Sequence, residues 1–174
     1  MTMAGWVYSL CRWTARFGAS VMIALALLSV ASIVGRALSG FGLGPIPGDF
    51  ELVETGTALA VFCSLPWCYL MRGHAVVDLF WHGFSPALQR TLELGSGLLM
   101  LLVWLLLTWR LGIGMLDYRA SGEVGFILQM PTWWGYAAAL PPAAIGCLAY
   151  AWRLFESLGL VDPPKLESTQ AMGH

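Results

Sequence analysis

Charged side chains are scarce in this sequence. Lysine, arginine, aspartate and glutamate make up 11% of its 174 residues, against about a quarter in an ordinary soluble domain, and the mean hydropathy is +0.71. A chain of that composition is short of the polar surface a water-soluble globule needs, so the solvent for most of it is lipid. An excess of basic charge is missing too. The 9 basic and 10 acidic side chains give a net charge of −1, which leaves no positive field for nucleic acid. Aliphatic and aromatic residues are not in short supply, which excludes disorder over most of the chain. The four cysteines, Cys11, Cys63, Cys68 and Cys147, form no C-x-x-C pair and lie beside no histidine-rich tract. They read as small apolar fillers rather than zinc ligands. No internal repeat of the kind found in many complete carriers is evident.

What the sequence does have is long uncharged runs. All charges avoid four windows, 17 to 35, 55 to 71, 94 to 109 and 124 to 152. A charge at the centre of a membrane helix costs roughly 2.5 to 3.5 kcal/mol, whereas each Leu, Ile, Phe or Val gains about 0.3 to 0.6. Since spanning the hydrocarbon takes about 20 helical residues, the windows and their flanks predict an all-α membrane domain over 17–158. It is a bundle of four transmembrane helices with spans at about 17–38, 50–71, 92–116 and 133–155. The third carries Arg110 near one end, where the side chain can snorkel to the interface. The fourth is bracketed by Trp133, Trp134 and Tyr136 on one side and Tyr150, Trp152 and Phe155 on the other, the aromatic belts of headgroup level.

An even number of spans puts both termini on one side. Arg12, Arg16, Arg72, Arg90, Arg153 and Lys165 fall on that side, and Arg36, Arg110 and Arg119 on the other. The positive-inside bias therefore places both termini in the cytoplasm. The first apolar run is too long for a cleaved signal peptide and no basic residue precedes Arg12, so it stays as an anchor. Ahead of it, in residues 1–16, Trp6, Leu10 and Trp13, continued by Phe17, recur at helical spacing opposite Tyr8, Ser9, Arg12 and Arg16. That pattern fits either a separate interfacial amphipathic helix or the start of the first span. Residues 159–174, with Pro163 and Pro164, read as a mobile cytoplasmic tail.

Several side chains invite a chemical role. Asp49 is placed to cap the second helix, with Glu51 and Glu54 in its first turns, where acids favour the positive end of the helix dipole. The functional reading of Glu54 is a pair with a basic group on another helix or subunit. His74, Asp78 and His82 share one helical face, but three ligands at the membrane surface would make an open metal site. Asp78 as a partner for Arg72, or as a cap, explains the same spacing without a metal. Neither histidine lies inside a span, so a haem between helices has no axial ligands, and no cofactor is expected. The fourth helix repeats a small residue at every fourth position, Gly135, Ala139, Ala143, Cys147 and Ala151, a close-packing seam of the kind that joins helices in lipid. Pro141 and Pro142 should kink it. At mid-bilayer depth there is no cluster of acids, bases or amides to hold a solute, which a transporter acting alone would need.

The ordered set of local patterns resembles one family. Gly48-Asp49-Phe50-Glu51-Leu52-Val53-Glu54 opens the second helix and Leu65-Pro66-Trp67 lies near its inner end. Arg72-Gly73-His74 and Val77-Asp78 follow. Gly122-Glu123 and Ile127-Leu128-Gln129-Met130-Pro131 then lead into Trp133-Trp134-Gly135-Tyr136 and Leu140-Pro141. Over about residues 17 to 156 this is similar to the DctQ-like small membrane subunit of tripartite ATP-independent periplasmic (TRAP) transporters. The resemblance implies a non-enzymatic scaffold in the bacterial inner membrane, packed against a large membrane transport subunit that holds solute and sodium sites. It also implies a periplasmic solute-binding protein as partner and organic acids as solutes. The residues put forward for the partner interface are Glu51, Glu54, Arg72, His74, Asp78, Gly135, Ala139, Ala143, Cys147 and Ala151. Two other readings are a quinone-linked thiol oxidase, which would need paired cysteines in an outer loop, and a small oligomeric exporter with Glu54 as proton carrier.

Overall fold

The computed structural model describes residues 3–71 and 85–159. Four α-helices follow one another: α1 (Met3–Ala37), α2 (Asp49–Leu70), α3 (Pro86–Ser121) and α4 (Trp133–Ser157), with a short 3-10 turn at Ser39–Phe41. Local chemistry sets their ends. Ser85 caps α3 by accepting the Leu88 N–H at 3.4 Å, with Pro86 in the first turn, where its missing N–H has no helical partner to lose. Gly122, at φ 68°, closes the other end of α3 in the left-handed conformation that glycine adopts without steric cost. Gly48 precedes α2 at φ 78° and lies so close against the Leu128 side chain that a Cβ there would collide with it.

Three of these helices, α1, α3 and α4, are long and apolar enough to cross a membrane. The 22-residue α2 is long enough, but Asp49, Glu51, Glu54 and Pro66 dilute its apolar character. It packs against both α1 and α4. Ala60, Cys63, Pro66 and Leu70 are buried along it. The helices do not close around a common axis as the expected bundle would. α1 lies on α2 and α4, while α3 attaches mainly to α4. Only 11% of the apolar window of α1 and 6% of that of α3 is buried, against 33% for α4, so the two longest helices form the open flanks of a row.

Both flanking helices overrun their expected spans. α1 is 35 residues and α3 36 residues long, more than 50 Å each at about 1.5 Å per residue. No break separates residues 3–16 from the first span, so the amphipathic segment forms the first turns of α1 and not a separate helix. The reason is tertiary: Tyr8 and Cys11, at 5% and 0% exposure, sit in a core with Leu70 of α2 and Ala149 of α4. Trp6, Leu10, Trp13 and Phe17 face outward. The Tyr8 hydroxyl donates to the Glu156 carboxylate at 3.2 Å, which also accepts from Trp152 Nε1 at 2.9 Å and from Arg153 at 2.6 Å. The Tyr8 hydroxyl thereby pins the start of α1 to the end of α4.

All four cysteines are free thiols. Cys11 is fully buried, and since a thiol must be reachable to attack an electrophile, Cys11 is expected to resist maleimide at pH 7.5 in the folded chain. Cys68 and Cys147, both partly exposed, should label first. Mass spectrometry of the labelled peptides checks this, and labelling of Cys11 as fast as in denatured protein would refute its burial.

Candidate functional site

α2 and α3 meet where the Phe62 ring stands edge-on to Trp104, with centroids 5.5 Å apart. Above that point, toward the α2 N-terminus, they part over α4 and leave a cavity of about 620 Å³. Glu54, Thr55 and Ala58 of α2 form one wall, Leu111 and Tyr118 of α3 the other, and Gly135, Tyr136 and Ala139 of α4 the floor. The α3–α4 loop forms the rim through Gly125, Leu128 and Met130.

This loop is built rather than slack. Gly125 N–H donates to Met130 O at 2.8 Å and Thr132 N–H to Glu123 O at 3.1 Å, giving an isolated antiparallel bridge between Val124 and Pro131. Gln129 takes a positive φ of 55° to turn the chain. The turn is then held to α2 by Glu51, whose carboxylate accepts the backbone N–H of Ile127 at 2.7 Å and of Leu128 at 3.1 Å. Such charge-assisted bonds to backbone donors are among the stronger hydrogen bonds. Glu51 therefore joins the site, but as a clamp on a loop 76 residues away in sequence, not as an acid serving its own helix. Phe126, at the tip of the clamped loop, is 95% exposed.

Asp49 also departs from simple capping. Gly48 occupies the N-cap position, and the Asp49 carboxylate takes the Ser32 hydroxyl of α1 while accepting its neighbour Phe50 N–H at 2.8 Å. Ser32 accepts from Ile46 N–H at 3.3 Å in turn, so one buried hydroxyl ties α1, α2 and their connection together. Glu54, one turn further on, makes no hydrogen bond or ion pair among the described residues and stands on the cavity wall.

The small-residue seam of α4 is occupied within this chain. Gly135 lies on Thr55 of α2, where an added Cβ would come within 2.7 Å of its methyl carbon. Ala139 and Ala143 are 3% and 0% exposed, and Cys147 touches the Thr108 hydroxyl of α3 at 3.4 Å. Ala151 is half-buried. Within this chain the seam packs α4 against α2 and α3. Trp104 and Gly146, which the sequence reading did not single out, complete it. The indole of Trp104 lies over Gly146 with no room for a Cβ between them, and its N–H donates to Ala143 O at 2.7 Å. A lone tryptophan in an apolar run facing a glycine three residues beyond an alanine carried no pattern that would have paired them. Arg72, His74, Asp78 and His82 lie outside the described residues.

Among the described residues no group of three histidine, cysteine, aspartate or glutamate side chains is placed to hold a metal. The polar groups of the site bind backbone and helices, and the cavity they frame is lined by two carboxylates, Glu51, which is taken up by the loop backbone, and Glu54. Residues 25–159 match the family model described as tripartite ATP-independent periplasmic transporters, DctQ component. No curated protein and no solved structure matches the chain. With the match covering more than half of the chain, and with long apolar helices of the kind that cross membranes, this protein belongs to the DctQ family, the small permease components of TRAP transporters, a family of transporter subunits and not of enzymes.

Proposed function

We propose that this chain is the static bracing subunit of a sodium-coupled importer of organic acids. In this reading the large membrane subunit holds the solute and sodium sites and moves, a periplasmic solute-binding protein delivers the solute, and this chain gives the moving part a fixed support. It lies in the inner membrane with four spans, α2 included, and both termini in the cytoplasm. The observation that carries the reading is how its polar groups are used. Ser32 with Asp49, Trp104 with Ala143, Thr108 with Cys147 and Glu51 with the 127–128 backbone all join parts of this chain, while the outward faces of α1 and α3 stay uncovered. A solute carrier needs polar groups aimed into a mid-bilayer cavity, whereas a brace needs a stiff row and surfaces for a companion.

Within this proposal Glu54 meets a basic side chain of the large subunit at the cavity wall, and Arg72, His74 and Asp78 serve the same interface on the cytoplasmic side. The clamped outer loop with Phe126 at its tip contributes to docking of the binding protein. The test is co-purification of the tagged chain in mild detergent. The large subunit should be recovered with it, and Glu54→Lys should lower the recovery by about tenfold, as placing like charges across an interface does. Vesicles containing the chain alone should accumulate no organic acid. Uptake by the chain alone, or its purification without any large membrane partner, would overturn the reading.

A further inference from the structure

Contacts between the helices fix which residues share a height in the row. Gly18 of α1 packs on Cys63 of α2. Gly135 of α4 lies on Thr55, and Tyr150 stacks on Tyr69 at 4.2 Å, so residues near 143 of α4 are level with residues near 63 of α2. On the other flank, Trp104 and Thr108 of α3 reach Ala143 and Cys147. Gly18, Cys63, Ala143 and the Trp104–Thr108 turn therefore lie at one level, which is the middle of the uncharged runs of both α2 and α4. Arg16 and Arg110 are each two residues from that level, within about 3 Å along the helix axis.

If the helices stood upright, both guanidinium groups would lie near the bilayer centre, about 15 Å from either edge of a roughly 30 Å hydrocarbon core. The uncharged stretches on the two flanks run in opposite directions from this height. In α1 residues 17–35 extend toward the outer loops, and in α3 residues 94–109 extend toward the cytoplasmic side. Their midpoints are offset by about 14 residues, or roughly 20 Å. In the order α1–α2–α4–α3 the flanks are separated by three interhelical steps of 8–10 Å each, roughly 24–30 Å in all. A flat lipid slab that covers both runs and also the central ones must be inclined to the row.

We propose that the helix row lies aslant in the bilayer, by about 40°, at the steep end of the range for membrane helices. Arg16 and Arg110, level with each other in the fold, then meet lipid headgroups at opposite membrane surfaces. Each arginine has an exposed tryptophan beside it. Arg16 lies over the Trp13 ring at 5.2 Å, Trp109 adjoins Arg110 in sequence, and the two indoles are 63% and 62% exposed. Tryptophan and arginine together are the usual anchors of a membrane interface, and a slant puts both pairs there. The slant also accounts for the excess length of α1 and α3. It carries the outward stripe of Trp6, Leu10, Trp13 and Phe17 along the cytoplasmic interface while α1 remains one helix.

The inference does not depend on the subunit reading, since it needs only a bilayer. Its test is Arg16→Cys and Arg110→Cys in cells expressing the full complex, labelled with a membrane-impermeant maleimide before and after permeabilisation, with the unsubstituted chain as blank. Both positions are exposed and lie off the helix seams. One substituted position should label only in intact cells' outer face and the other only after permeabilisation. Labelling of both from the same side, or of neither from any side, would overturn the slant. Polarised infrared spectroscopy of the unsubstituted chain in oriented bilayers gives a second readout. A mean helix tilt near 40° is expected, and one of about 20° or less, the ordinary value, would refute it.

Discussion

Replacing Trp104 with alanine is expected to loosen α3 from the rest of the fold. α3 is attached mainly through α4, and Trp104, at 4% exposure, is the large side chain buried in that contact. Its ring stacks on Tyr150 at a centroid distance of 5.0 Å and meets Phe62 at 5.5 Å, and its N–H reaches Ala143 O at 2.7 Å. Truncating a buried aromatic of this size costs about 3–5 kcal/mol. Trp104→Phe, which keeps a ring but loses the hydrogen bond, should cost less, the bond itself being worth about 1 kcal/mol. Gly146→Leu should act like Trp104→Ala from the opposite side, because a side chain at 146 must displace the indole. The pair forms one contact, so combining Trp104→Ala with Gly146→Leu should fall short of the sum of the two effects. Thermal unfolding in detergent measures this series. A Trp104→Ala chain as stable as the parent would show that α3 is held by something else.

Replacing Glu51 with alanine is expected to release the outer loop while leaving the helices in place. The carboxylate is the side-chain tie from α2 to the 127–128 backbone, and α2 keeps its contacts with α1 and α4. Amide exchange at Ile127 and Leu128 should rise by about tenfold or more once those donors lose their acceptor. The bridged pair at Gly125 and Met130 should follow more weakly. Glu51→Gln should fall between, because the amide retains one acceptor oxygen but loses the charge that strengthens both bonds. If the loop is a docking element, the same variants should weaken binding-protein-dependent uptake in the order alanine below glutamine below parent. Unchanged exchange at 127 and 128 in Glu51→Ala would refute the clamp.

Much of the fold was legible before any coordinates. The charge-free windows fell on all four helices, because an ion in lipid is disfavoured strongly enough to be kept out of apolar stretches. The expected starts at Phe50 and Trp133 fall within one residue of those observed. The flank lengths were not legible. Residues 3–16 continue α1 because Tyr8 and Cys11 find buried partners on α2 and α4, and a helical pattern with an exposed aromatic stripe reads the same whether it lies flat or continues a span. Asp49, Glu51 and Glu54 were legible as acids at a helix start but not in their separate duties. Asp49 goes to Ser32 on α1, Glu51 to a loop between two other helices and Glu54 to the cavity wall. Each choice depends on which segment arrives opposite, and spacing along one helix carries no information about that.

Composition and the periodic exclusion of charge by themselves determined that this is a membrane chain of apolar helices, and the ordered motifs carried the resemblance to the DctQ family. Those properties are one-dimensional, since lipid acts on each helix separately. Only the tertiary structure decided that the helices form an open row with α2 and α4 inside, that the small-residue seam is used within the chain, and that Glu51 clamps a distant loop. Those outcomes turn on contacts of a few ångströms between surfaces far apart in the chain, where one indole over one glycine selects the arrangement.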